Sequence, residues 1–301
     1  MIKNLTIIGC GLIGSSILRA AIKNNIAKNI NIFDKSKEAI LLLKEEKLKF
    51  NSCDNLSLSV KDSDLIIIST PLSAYKQILL SIKSHLKKGS ILTDTGSAKK
   101  EINKIILSLN LKNVSWIGSH PIAGTEDSGP KAGFADLFKK RWCIISPSEN
   151  SKKKDTQLIQ NFWESFGSKV KIMSFNDHDH ILSLTSHLPH AIAYNIVRTA
   201  ITDEDKLNQD IIQYSAGGLR DFTRIAASNP IMWRDIFIDN SDNILRVLDN
   251  FSNNLEELKS AIKEKNGEKL IEIFSSTKEV RKEIIKAGQD TNQPNFGRKK
   301  D

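Results

Sequence analysis

Short apolar runs at residues 3–8, 29–33, 64–69, 90–94 and 114–117 punctuate the first part of the chain. Between them, apolar residues recur at helical spacing over 15–25, 37–47 and 74–86. Brief runs bounded by turn formers predict strands, and a three-to-four spacing over longer windows predicts amphipathic helices. Alternation of the two predicts a parallel sheet with helices on both faces. Further strands are expected over 142–146 and 169–173, around a helix over 155–166 that Gly167 closes. Beyond Asn176 strand-like runs stop and helical periodicity continues almost to the end, with Asn266-Gly267 as a break. The pattern divides the chain into an α/β domain over 1–174, an all-helical domain over 175–288 and a polar tail over 289–301 that is expected to be disordered.

The first strand runs directly into Gly9-Cys10-Gly11-Leu12-Ile13-Gly14 and then a helix. In that context the first glycine permits the tight turn and the second lets a pyrophosphate approach the backbone. The third lets helix and strand pack closely, with the helix N-terminus facing the phosphates. The second strand ends in Asp34, about twenty residues beyond the glycines, where a carboxylate would accept hydrogen bonds from ribose hydroxyls. The cofactor-binding set is therefore Gly9, Gly11, Leu12, Ile13, Gly14 and Asp34, with Thr70 and Pro71 at the end of a neighbouring strand. The same acid favours NAD over NADP, whose extra phosphate it would repel, although Lys35 and Lys37 stand close by.

Candidate chemistry gathers where strands should end. Gly118-Ser119-His120-Pro121-Ile122-Ala123-Gly124-Thr125-Glu126 places an imidazole, hydroxyls and a carboxylate in what reads as a turn held by Pro121. His120 is a candidate acid or base. Ser97, in Asp94-Thr95-Gly96-Ser97, could present its hydroxyl there and is also the natural N-cap of the next helix. In the helical half, Pro189 within Ser186-His187-Leu188-Pro189-His190 predicts a kink. These histidines, with His178 and His180, lack a carboxylate or cysteine at ligand spacing, so no metal site is expected. Ser215-Ala216-Gly217-Gly218-Leu219-Arg220-Asp221-Phe222-Thr223-Arg224, followed by Asn229-Pro230-Ile231-Met232-Trp233-Arg234-Asp235, reads either as a carboxylate clamp or as Asp221 to Arg224 and Arg234 to Asp235 ion pairs.

Composition narrows the picture further. The 301 residues carry a formal net charge of +9, but the lysines are scattered and lack interleaved aromatics, which speaks against nucleic acid and fits anionic small molecules. Three separated cysteines argue against a disulfide framework. No apolar run approaches the length of a membrane span, and the start leads straight into a strand, so a cytoplasmic protein is expected.

Taken together and in this order, these motifs resemble the prephenate and arogenate dehydrogenases of tyrosine biosynthesis over nearly the whole chain. The resemblance implies a Rossmann-like doubly wound sheet followed by an all-helical dimerisation domain, and an NAD-dependent oxidative decarboxylation of prephenate, with arogenate as the alternative substrate. It implies His120 and Ser97 as catalytic residues and Arg224, His190, Gly217, Trp233, Thr125 and Glu126 as substrate-binding ones. It also implies a homodimer. Two other readings remain open, a β-hydroxyacid dehydrogenase and a nucleotide-binding regulator without turnover.

Overall fold

The computed structural model describes residues 1–111, 114–125, 127–207 and 211–286. The expected tail over 289–301 lies outside the described residues, as does Glu126. The sheet strands are β1 (Ile2–Ile8), β2 (Ala27–Phe33), β3 (Asn51–Ser52), β4 (Leu65–Ile68), β5 (Ile91–Asp94), β6 (Ser115–Pro121), β7 (Trp142–Pro147) and β8 (Lys169–Ile172). They lie side by side in the order β3-β2-β1-β4-β5-β6-β7-β8. Chain order reverses between β1 and β4, which opens a crevice at their carboxyl ends. Helices α1 (Leu12–Lys23), α2 (Lys37–Glu45), α3 (Leu56–Ser59), α4 (Tyr75–Ile82), α5 (Lys100–Ser108) and α6 (Lys153–Ser165) connect the strands.

Adjacent residues of each central strand feed opposite cores. Leu5, Ile7, Ile32 and Ile67 join Ile17, Leu18 and Trp163 on one face, whereas Ile8, Ile66 and Ile68 join Leu79, Ile102 and Trp116 on the other. Burial on both faces explains why β4 reads as an unbroken apolar run.

Two expectations from the pattern need correction. The sheet is not wholly parallel, because β7 pairs antiparallel with β6 and β8 follows β7. Only a loop and a short turn at Pro130–Ala132 join β6 to β7, so no helical crossover turns the chain back to a parallel course. For the same reason His120 and Pro121 lie within β6 rather than in a turn after it, paired with Ile144 and Cys143. The tiny β3 and α3 carry too few residues for periodicity to reveal them.

In the helical half, α7 (Phe175–Leu182) and α8 (Leu188–Leu207) are joined by a π-helical turn, Ser183–His187. Pro189 cannot donate to the preceding turn, and the wider turn absorbs the missing bond. Next come α9 (Gly217–Thr223), α10 (Pro230–Asp239), α11 (Ser241–Lys263) and α12 (Gly267–Lys286), with the break at Asn266 as expected. Trp233 and Ile236 of α10 are buried in the same core as β4 and β5. One compact unit accordingly extends over Met1–Ile244 and a second begins at Leu245, whereas the change in sequence character falls at 174/175. Among the described residues no helix is long and apolar enough to cross a membrane.

The glycine turn shows why each glycine stands where it does. Gly9 has φ of 94°, a backbone shape that other residues resist, and a Cβ on Gly14 would collide with the Gly9 carbonyl oxygen. A Cβ on Gly11 would meet nothing within 4 Å. Gly14→Ala should therefore lower the melting temperature, whereas Gly11→Ala should leave it within about a degree and weaken dinucleotide binding instead. Thermal melts and cofactor titration of both variants separate the two roles.

Candidate active site

The crevice beside the glycine turn widens into a cleft of about 510 Å³. Gly11, Leu12, Ile13, Thr70 and Pro71 line it, together with half-buried Ser97, buried His120 and exposed Thr125. Gly9 and Gly14 shape the turn from beneath. Gly11 is the N-cap of α1 and makes no side-chain cap, so the helix amides face open space where a pyrophosphate would fit. Asp34 Oδ2 accepts from Cys10 N at 2.6 Å and its Oδ1 from Ser36 N at 2.8 Å, which fixes the carboxylate beside the turn. An open glycine, free helix amides and a held acid together fit a dinucleotide.

Beneath the cleft, Asp94 at the end of β5 is fully buried and accepts four hydrogen bonds. Oδ2 receives Lys99 Nζ at 2.5 Å, Tyr75 Oη at 3.1 Å and Gly96 N at 2.9 Å, while Oδ1 receives Ser119 N at 3.0 Å. Lys99 is itself buried, and burial pushes its ammonium below its ordinary range against the pull of Asp94. The first amides of α5, Lys99 N and Lys100 N, donate to Asp179 of α7 at 2.8 Å each. That helix is thus capped from 80 residues away. Ser97 is not its N-cap, a position held by Lys99.

His120 is only 8% exposed and still lines the cleft. Its Nδ1 lies 2.8 Å from His178 Nε2, and His178 Nδ1 lies 2.7 Å from Asp179 Oδ1. Nε2 is the ring nitrogen left for a ligand. Burial pushes His120 well below the usual imidazole value, with His178, Lys99 and His187 adding to the effect. His178 is depressed for the same first reason, burial. His187 is held at about 4, chiefly by burial, with Asn240 Nδ2 at 3.1 Å from its Nδ1. The imidazoles below the cleft are therefore neutral at pH 7.

The remaining residues singled out from the sequence divide into two groups. His190 stacks on Trp233 with ring centroids 3.6 Å apart, and the Ser186 carbonyl lies 2.9 Å from its Nδ1. Arg224 opens the short turn Arg224–Ala227, close enough for its charge to bear on His190. Gly217 begins α9 in open surroundings and is not part of the cleft wall. Arg234 and Asp235 form the ion pair the sequence allowed, at 2.6 Å, and Asp235 also accepts from Ser73 N. Among the described residues no group of three His, Cys, Asp or Glu could hold a metal.

The sequence assigns no individual role to several residues that the fold brings to the site. Ser228, Asn229, Ile231 and Met232 close the cleft from the helical side, and Asn229 Oδ1 caps α10 by accepting from Ile231 N and Met232 N. The Asn229-Pro230 pair is a helix-start signal that could have placed them. No local signal marks His178 and Asp179, whose partners lie in other elements.

Residues 18–172 match the family described as "Prephenate dehydrogenase, nucleotide-binding domain", and residues 174–276 match "Prephenate dehydrogenase, dimerization domain". The first match begins after the glycine turn, so the reading of that turn stands on its geometry. The cyclohexadienyl dehydrogenase of Zymomonas mobilis is 38% identical over 279 residues, covering 93% of this chain and 95% of its own. The prephenate dehydrogenase of Bacillus subtilis is 29% identical, covering 93% and 76%. Among solved structures, prephenate dehydrogenase from Aquifex aeolicus in complex with hydroxyphenyl propionate and NAD+ superimposes with a TM-score of 0.88 at 31% identity, covering 94% of this chain and 99% of that one. With two adjoining domain matches and a relative aligned along nearly its full length, the chain belongs to the prephenate dehydrogenase family.

Proposed function

We propose that this protein catalyses the NAD-dependent oxidative decarboxylation of prephenate to 4-hydroxyphenylpyruvate, CO2 and NADH. The observation that carries the reading is a neutral, buried imidazole at the wall of a cleft that begins at a dinucleotide turn. Gly9, Gly11, Leu12, Ile13 and Gly14 hold the pyrophosphate side of the cofactor, Asp34 the ribose, and Thr70 and Pro71 the opposite wall. When bound, the oxidised nicotinamide supplies the acceptor for the hydride leaving C4 of the cyclohexadiene.

The chain's own residues govern the proton. His120 takes the C4 hydroxyl proton at Nε2 as the hydride departs, and Ser97 orients that hydroxyl. Loss of CO2 from C1 then aromatises the ring. Arg224 pairs with a substrate carboxylate in a bidentate fork, while Thr125, Glu126 and His190, the last stacked on Trp233, complete the substrate side. The Zymomonas mobilis relative is named a cyclohexadienyl dehydrogenase, and that name leaves room for arogenate as a second substrate. The homodimer is assigned to the helical domain over 175–288, supported by the dimerization-domain match and by exposed Ile262, Ile271 and Phe274. A cytoplasmic location suits a small-molecule enzyme of this kind.

Initial rates of NADH formation with prephenate and with arogenate, at saturating NAD+, test the assignment. A larger kcat/KM is expected for prephenate. No turnover of either compound would refute the reading, and a preference for arogenate would reverse the substrate order.

His120→Ala should lower kcat by roughly 10²–10⁴ with NAD+ affinity almost unchanged. The pH profile gives an independent check. A depressed imidazole stays unprotonated as pH falls, so kcat/KM should hold level through pH 6.5 and decline only below it, as protonation removes the acceptor. NAD+ should be preferred over NADP+, and Asp34→Ser should narrow the ratio of specificity constants.

A further inference from the structure

His178 and Asp179 have no part in the reaction as written, yet both are completely buried and joined to His120 in one line of hydrogen bonds. The direction of that line follows from its proton inventory. Asp179 Oδ1 and Oδ2 each receive a backbone N–H from the start of α5, Lys99 N and Lys100 N. Both oxygens are thereby committed as acceptors, so the proton shared with the neighbouring imidazole belongs to His178 Nδ1. A neutral imidazole protonated at Nδ1 offers only a lone pair at Nε2. His120 must then donate to it from Nδ1, 2.8 Å away, and its own Nε2 is left unprotonated.

We propose that Asp179 and His178 are positioning residues that act through His120, fixing its imidazole in the tautomer whose lone pair is presented to the cleft from Nε2. This rests on the reading of His120 as the proton acceptor. A free imidazole in water exchanges its proton between the two nitrogens, and the wrong tautomer would place an N–H against the substrate hydroxyl. The chain removes that state before substrate arrives. It also serves after the transfer: as the substrate O–H bond breaks and the Nε2–H bond forms, the imidazolium keeps its Nδ1–H bond to His178. Asp179 lies at the far end to balance the charge. Burial first, then the charges of His178, Lys99 and His187, disfavour protonation of His120 before substrate arrives.

The test reads tautomer and turnover separately. In the NAD+-loaded enzyme with ¹⁵N-labelled histidine at pH 8, long-range ¹H–¹⁵N correlations should show His120 protonated at Nδ1 and bare at Nε2. The opposite assignment overturns the proposal whatever the activity, and this measurement stands even if the enzyme turns over neither cyclohexadiene. His178→Leu removes both bonds and should lower kcat about 10- to 100-fold, the usual effect of losing an orienting partner, with KM for both substrates within about twofold. His178→Gln can still accept from His120 and donate to Asp179, and should recover most of the loss. Unchanged kcat in the leucine variant, or a glutamine variant no better than leucine, would show that His178 only fills space. Should the leucine variant fail to fold, the tautomer assignment in the wild-type enzyme decides alone.

Discussion

A single buried carboxylate, Asp94, ties together the elements that make the site. It accepts from Tyr75 at the head of α4, from Gly96 in the loop after β5, from Ser119 beside His120 in β6, and from Lys99 at the head of α5. A charge removed from water is tolerable only when its partners are all present, and here each partner comes from a different element. Losing any of them would leave an uncompensated group under the cleft. The consequence is positional: the strand that carries His120 and the helix whose first amides reach Asp179 are both referred to one point.

The same arrangement explains how a histidine stays unprotonated at neutral pH in a basic protein. Lys99 is held against the sheet by Asp94, and burial above all, with the Lys99 charge adding to it, keeps both His120 and His178 unprotonated. Asp179 also feels burial, which raises its carboxyl, but the Lys100 and Lys99 amides and the Lys99 ammonium pull the other way. Two carboxylates, one ammonium and neutral imidazoles thus share one buried region. The cost of desolvating each group is offset by a partner within hydrogen-bond distance.

What could be read from the sequence was whatever is local. The glycine turn, Asp34 at the end of β2, the π-kinked helix at Pro189 and the cap at Gly167, whose φ is 81°, all depend on neighbours a few residues away. That His120 and Ser97 stand where strands meet the cleft was also legible, because the motifs that carry them are short. The turn expected at His120 failed since β7 returns antiparallel and extends β6 through Pro121, a pairing that depends on residues more than twenty positions distant. Further still, His178 meets His120 over 58 residues and Asp179 meets Lys99 over 80. Nothing in the periodicity of α7 distinguishes a histidine that relays a hydrogen bond from one that fills the core. The pair His178-Asp179 became meaningful only when packing set it against α5.

Helix α10 shows why the site extends past the change in sequence character at 174/175. Ile231, Met232 and Ile236 line the cleft, while Trp233 and Ile236 are buried with β4 and β5 in one core. Asp235 adds a bond to Ser73 N on the opposite wall. A helix that both closes the cleft and is rooted in the sheet cannot move as part of a separate helical body without exposing Trp233 and breaking that bond. The stacking of His190 on Trp233 extends the same anchorage to α8. Trp233, and His190 through it, are therefore held by the core of the sheet, and the α10 side of the cleft is positioned by packing rather than by a linker.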